Sequence, residues 1–304
     1  MADRLVVAVV GPTATGKSDL AVELTQHLDG EVVNADSMQL YAGMDIGTAK
    51  LTVDERRGVA HHLLDVWPIA KSAAVAQYQQ LARAAIDDVH ARGRTPVLVG
   101  GSGLYLRAAL DRIEFPGESA EVRARLYADL DAQGPHALHA RLSRSDPVAA
   151  AAILPSNGRR IVRALEVGEL TGRPFLARMP AFESVYPRCV QLGLDRPDLA
   201  DRVEQRVHAM MAQGLLDEVR ALLPRGLRAS PTAGKALGYA QLLACLADDG
   251  AVVGDLEDAV QQTVRGTRRF VKRQRTWFRR DPRVRWLDAA QPGLLERAVT
   301  TLEA

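Results

Sequence analysis

Residues 11–18 read Gly-Pro-Thr-Ala-Thr-Gly-Lys-Ser and match the phosphate-loop pattern G-x-x-x-x-G-K-[S/T] at every fixed position. Leu5 to Val10 before it is an unbroken apolar run, the pattern of a strand buried on both faces of a parallel sheet. After Ser18, Leu20, Ala21, Leu24 and Leu28 recur at helical spacing until Gly30. A strand, a glycine turn and a helix in that order give the loop the context it needs. Gly11, Pro12, Thr13, Ala14, Thr15, Gly16, Lys17 and Ser18 are therefore expected to cradle a diphosphate or larger anion. The backbone N–H groups and the helix N-terminus face the anion, Lys17 adds a point charge, and Ser18 is the candidate ligand for Mg²⁺.

The same reading extends along the chain. Glu31 to Asn34 starts a second strand. A helical stretch from about Ala73 to Arg92, closed by Gly93, leads into a third at Pro96 to Val99. From Phe115-Pro116-Gly117 the pattern becomes polar, Ala- and Arg-rich helix to about Glu169, followed by a loop with Pro174, Pro180 and Pro187. Cys189, Val190, Leu192 and Leu194 return as a strand. Val203, Val207, Met210, Met211, Leu215, Val219 and Leu222 then predict one amphipathic helix ended by Pro224. The expected fold is α/β: a P-loop NTPase-like parallel sheet core (1–115), a helical insertion (116–187), and a return to the core with C-terminal, basic helices (188–304). With 304 residues, 47% of them hydrophobic, the chain can bury such a core. Two cysteines, Cys189 and Cys245, are too few for a disulfide framework or a four-cysteine zinc site. The apolar start is too short for a secretory or membrane segment, so a cytoplasmic protein is expected.

A phosphate loop does not say which bond breaks. Motor ATPases add a strand ending in an acidic residue, whereas Pro96 to Val99 ends in Gly100-Gly101. Asp36 follows the second strand, at the sheet edge where open α/β folds bind ligands. It reads equally as a base for an incoming nucleophile or as a turn residue. Ser102, in Gly100-Gly-Ser-Gly-Leu-Tyr105, reads as a partner for phosphate or acceptor, or as an ordinary strand-to-helix turn.

Ala259 to Arg285 holds ten Lys or Arg against one acid; it carries +9 within a chain of net +2, leaving −7 elsewhere. Val260, Val264, Val271 and Phe278 form one packing face, with Arg265, Arg268, Arg269, Lys272, Arg273 and Arg275 around the rest. Such a surface suits a polyphosphate backbone, or is simply a solvated face. A small-molecule kinase would share the loop and the acid but leaves this segment unexplained. An RNA-binding regulator explains the segment but not an intact Lys17-Ser18 beside Asp36.

Together these stretches resemble the tRNA dimethylallyltransferase family along nearly the whole chain. Further landmarks are Met44-Asp-Ile-Gly-Thr-Ala-Lys50, His61-His62-Leu, Asn157-Gly-Arg-Arg-Ile-Val-Arg163-Ala-Leu-Glu166, Gly214-Leu-Leu-Asp-Glu-Val219, Gly238-Tyr239 and Thr267-Arg-Arg-Phe-Val-Lys-Arg-Gln-Arg-Thr-Trp-Phe278. The resemblance implies transfer of a dimethylallyl group from dimethylallyl diphosphate, with Mg²⁺, to N6 of the adenosine 3′ of the anticodon. By similarity, Asp36 takes a proton or hydrogen bond from the amine, and Ser102 contacts the diphosphate and acceptor. Arg206 and Arg268 are candidates for the diphosphate. Ser37, Met38 and Gln39 with Asp36, Ser102, Arg123, and Arg159, Arg160, Ile161, Val162 and Arg163 are candidates for the RNA path, and Arg269 and Lys272 for the anticodon stem-loop. No zinc, no membrane and a monomeric state are expected. The sequence departs from the family pattern in three places: Ser102 stands where threonine is common, Leu51 where proline is usual, and Ala240-Gln241 where lysine and glutamate are common.

Overall fold

The computed structural model describes residues 4–175 and 181–304; Met1–Asp3 and Pro180, the latter part of the expected proline loop, lie outside the described residues. The chain divides into two compact units, one of residues up to Asp111 and from Ser184 onward, the other of Arg112–Glu183.

The first unit is built on a parallel sheet. Its leading elements are β1 (Leu5–Val10), α1 (Lys17–His27), β2 (Gly30–Asn34), β3 (His61–His62), α2 (Val75–Ala91), β4 (Thr95–Gly100) and α3 (Gly103–Leu110). The strand order is β3-β2-β4-β1, continued on the far side of β1 by two strands from after the second unit. The chain moves outward from β1 through α1 to β2 and back through α2 to β4. Right-handed crossovers in opposite directions place α1 and α2 on opposite faces. Val6 to Val10 are fully buried. Val7 and Val9 pack with Leu20 and Leu24 of α1, which explains the continuous apolar run.

The second unit is helical: α4 (Ala120–Ser145, with a break at Gly134), α5 (Pro147–Ala152) and α6 (Gly158–Thr171). Leu126, Leu138, Leu142, Ile161, Val162 and Leu165 form its core. Ile161 and Val162 were candidates for the RNA path; they are 0% and 1% exposed, so their side chains build this core instead. Glu166 is equally buried and is held by Arg163 at 2.8 Å, Arg123 at 3.0 Å and the Ser119 N–H at 3.1 Å. Burial pushes its carboxyl upward, but the arginine hydrogen bonds outweigh that and keep it below the usual range. An isolated buried carboxylate would be costly, so Arg123 and Arg163 have a structural task in this unit.

The chain returns as β5 (Arg188–Asp195), α7 (Leu199–Ala212), α8 (Leu215–Leu222), α9 (Tyr239–Ala244), α10 (Leu256–Phe278), β6 (Val284–Asp288) and α11 (Leu294–Glu303). β5 pairs with β1 and β6 with β5, both parallel, making six strands. The single helix expected over Val203–Leu222 is two helices, because Gly214 adopts φ 100° and ends the first. The apolar spacing continues across the break and hid it. The basic segment is also not one helix: α10 stops at Phe278, and Arg283 turns inward to pair with Asp111 at 2.7 Å and Asp281 at 2.6 Å.

Candidate active site

A cleft of about 590 Å³ opens at the carboxyl ends of the central strands. The phosphate loop forms its floor. Gly11 has φ 132°, and a Cβ there would lie 2.3 Å from the Leu194 carbonyl oxygen, so this turn accepts only glycine. Thr15 donates to the Pro12 carbonyl at 2.9 Å, and Arg202 donates to the Ala14 carbonyl at 2.9 Å from outside. No side chain caps α1, which leaves its first N–H groups available to an anion. Ser18 lines the cleft, and its hydroxyl has no hydrogen-bond partner among the described residues.

Lys17 and Arg206 bring two positive groups to the same cleft, which Asp36 also lines. The Lys17 ammonium donates to the Pro12 carbonyl. Burial, and next the charge of Arg206, pull its pKa down to about 7, with Asp36 opposing them. Burial lowers Arg206 too, partly offset by Asp36, and Arg206 has no ion-pair partner among the described residues. Two crowded, under-compensated cations describe a place waiting for negative charge. A pH dependence follows. An anion bound beside Lys17 raises its pKa, so the complex holds more protons than the free protein, and affinity falls as pH rises above about 7. Calorimetry of pyrophosphate binding at pH 8 in two buffers of different ionisation heat should show net proton uptake. No uptake would mean that Lys17 is not beside the ligand.

Asp36 makes the local bond expected of a turn residue and also lines the cleft. Its Oδ1 accepts the Met38 N–H at 2.9 Å, a local turn bond, while Oδ2 has no donor among the described residues. Ser37 faces Ser102: their hydroxyls are 3.3 Å apart, and the Ser37 N–H donates to Ser102 Oγ at 3.3 Å. Gln39 donates to the carbonyls of Thr48 (3.1 Å) and Ala49 (3.3 Å), fastening the segment that makes the cleft wall. Arg268, offered by sequence as a second diphosphate arginine, does not line the cleft. It binds Glu204 at 2.7 Å and the Ala200 carbonyl, tying α10 to α7. Arg202 lines the cleft, and sequence reasoning missed it. Arg275, expected on the basic surface, pairs with Asp195 at 2.7 Å. Arg269 and Lys272 have no ion-pair partner among the described residues, and Arg273 lies over the Phe270 ring at 5.6 Å. In the helical unit, Arg159 and Arg160 are exposed on α6.

Three motifs that looked separate in sequence are one contact. The Glu218 carboxylate accepts the N–H groups of Asp45 (3.0 Å), Ile46 (2.7 Å) and Gly47 (3.2 Å) and the Tyr239 hydroxyl. Lys50, at the end of the same segment, is buried against Asp65 at 2.6 Å, Asp45 and the Tyr41 carbonyl. Leu51, the departure from proline, lines the cleft. Gln241, the departure from glutamate, accepts the Gly238 N–H at 2.9 Å, which glutamate could do equally. His61 and His62 are engaged with the Val59 carbonyl and with Glu31.

The family model described as IPP transferase matches residues 39–281. The chain belongs to the IPP transferase family. It is 62% identical over 300 residues to the tRNA dimethylallyltransferase of Thermobifida fusca, covering 96% of this chain and 92% of that one. Among solved structures it is similar to the full-length tRNA isopentenylpyrophosphate transferase of Bacillus halodurans (TM-score 0.70, 40% identity, 99% and 97% coverage). It is also similar to a eukaryotic dimethylallyltransferase acting on tRNA (TM-score 0.82, 25% identity, 97% and 78% coverage). No helix among the described residues is long and apolar enough to cross a membrane.

Proposed function

We propose that this protein transfers a dimethylallyl group from dimethylallyl diphosphate to N6 of the adenosine 3′ of the anticodon in tRNA, releasing diphosphate. The observation that carries the reading is the single cleft holding Lys17, Arg206 and Ser18 together with Asp36. Lys17, Arg206 and the loop N–H groups hold the diphosphate. The amine nitrogen attacks the allylic carbon, the C–N bond forms as the C–O bond breaks, and the amine proton passes to Asp36 Oδ2. Ser102 and Ser37 orient the acceptor beside it. The stacked base must leave its neighbours to reach Asp36, a cost that contacts from Ser37, Met38 and Gln39 would offset. In this reading the chain acts as a monomer in the cytoplasm.

The donor set fits Mg²⁺. An open Ser18 hydroxyl with Asp19 and Asp36 in the same cleft is all oxygen. Among the described residues no cluster of three metal-ligating side chains closes a cage. Mg²⁺ prefers such sites, completing its shell with phosphate oxygens and water. Ser18 would hold it, and when bound it would neutralise charge on the leaving diphosphate.

Arg269, Lys272, Arg159 and Arg160 are assigned to tRNA phosphates. Charge reversal at Arg269 and Lys272 together should weaken tRNA binding and flatten its salt dependence by about two in slope, close to one for each phosphate no longer neutralised. An unchanged slope in salt titrations of the double variant would remove these residues from the interface. The activity itself is tested with Mg²⁺, labelled dimethylallyl diphosphate and unmodified tRNA, without ATP. Label in N6-isopentenyladenosine is expected. Absence of label with tRNA bound, and ATP consumed on a small acceptor, would replace the reading with a kinase.

A further inference from the structure

Gln274 is the one uncharged polar residue in the run Lys272-Arg-Gln-Arg275, and it sits on the apolar stripe of α10, three residues after Val271 and four before Phe278. It is 5% exposed. A glutamine amide buried at a packing position must spend its donors and acceptor on specific partners. Its Nε2 donates to the Gly101 carbonyl at 2.9 Å, and its Oε1 accepts the Thr13 N–H at 3.0 Å. One side chain therefore joins the loop after β1, which cradles phosphate, to the loop after β4, which carries Ser102. Gly101 leaves no slack in this joint, since a Cβ there would lie 2.2 Å from Gln274 Nε2. Two residues away along the helix, Lys272 belongs to the exposed cationic side.

The two loops share no other side-chain bridge among the described residues' hydrogen bonds. Their mutual distance sets where the Ser102 hydroxyl stands relative to a diphosphate on the phosphate loop. We propose that Gln274 is a positioning residue for the donor site: it holds Thr13 and Gly101 in register so that the phosphate cradle and Ser102 act on one ligand. The inference rests on the proposed transferase reading for its ligand.

The test compares wild type with Gln274→Met, which keeps shape and loses both hydrogen bonds, and with Gln274→Glu, which keeps an acceptor for Thr13 and loses the donor to Gly101. Gly101→Ala is the third variant, displacing the amide in a chain that retains Gln274. Binding of Mg²⁺-pyrophosphate, KM for dimethylallyl diphosphate, tRNA Kd and Tm are measured for each. Pyrophosphate Kd and donor KM should rise about tenfold, the scale of one or two missing hydrogen bonds, while tRNA Kd stays within about twofold. Gln274→Met and Gly101→Ala should agree. Variants that bind pyrophosphate like wild type overturn the proposal. So does a parallel fall in donor affinity, tRNA affinity and Tm, which is the mark of a general packing role. Wild type that binds no pyrophosphate and transfers no prenyl group overturns the transferase reading instead.

Discussion

Asp36→Asn is expected to lower prenyl transfer by about 10²- to 10⁴-fold, the usual worth of a positioned general base, while tRNA affinity and Tm stay close to wild type. The asparagine is the informative substitution because the observed turn bond and the proposed base role fall on different oxygens. Oδ1 accepts the Met38 N–H and shapes the turn after β2, and an asparagine oxygen can do the same. Oδ2 is the oxygen that takes the proton in the proposed reaction, and in asparagine its place is held by an amide nitrogen that cannot. Asp36→Ala removes both, so it should add a loss of stability to the same loss of rate. Single-turnover transfer with tRNA prebound separates chemistry from binding. Wild-type single-turnover rates in Asp36→Asn would make the residue a turn former only, and the base would have to be sought elsewhere in the cleft.

The two possibilities at Asp36 could not be separated in the sequence because each needs only a short aspartate after a strand. The structure adds that Oδ1 is already occupied by the Met38 N–H, a fact of geometry that no local pattern carries. Local features were legible for the opposite reason. β1, the phosphate loop and α1 are contiguous, and burial on both faces of a parallel strand leaves an unbroken apolar run directly before the loop motif. The packing face of α10 was legible too, since Val260, Val264, Val271 and Phe278 are all buried. Elements too short or too charged for a period were not. β3 is two histidines, and β6 reads Val-Arg-Trp-Leu-Asp at the end of a basic run. Its pairing with β5 is what makes it a strand.

Long-range partners were the other blind spot. Charge alone ranked Arg206 and Arg268 alike, yet one lines the cleft and the other bridges to Glu204. Glu218 lies 173 residues from Asp45, and the motifs containing them had no visible reason to be linked. Gln274 was passed over because the basic segment was read for its cations. Its place on the apolar stripe was the available signal, since a buried amide there requires partners of its own.

Lys17→Ala should separate activity from stability in opposite directions. In the proposed reaction the leaving diphosphate gathers charge as the C–O bond breaks, and Lys17 is a preplaced cation in the cleft. Removing one such group costs about 10²- to 10³-fold in rate, and pyrophosphate affinity should fall with it. Arginine should not rescue, because the flat guanidinium is a different shape from the compact ammonium the loop surrounds. Stability moves the other way. With the native pKa lowered to about 7 from 10.5, the folded state below pH 7 carries a charge it disfavours, whereas the unfolded chain carries the same charge freely. That penalty is full below pH 7 and fades as pH rises from 7 toward 10.5, where the unfolded chain also loses the proton. Alanine removes the penalty, so the variant's Tm should equal or exceed wild type at pH 6, with the advantage shrinking by pH 9. A variant that loses Tm at pH 6 while keeping transfer would show that Lys17 serves the loop's structure, and the cationic role would pass to Arg206. The expected pattern, impaired chemistry with undiminished stability, is that of a charge kept in an unfavourable place for the sake of its ligand.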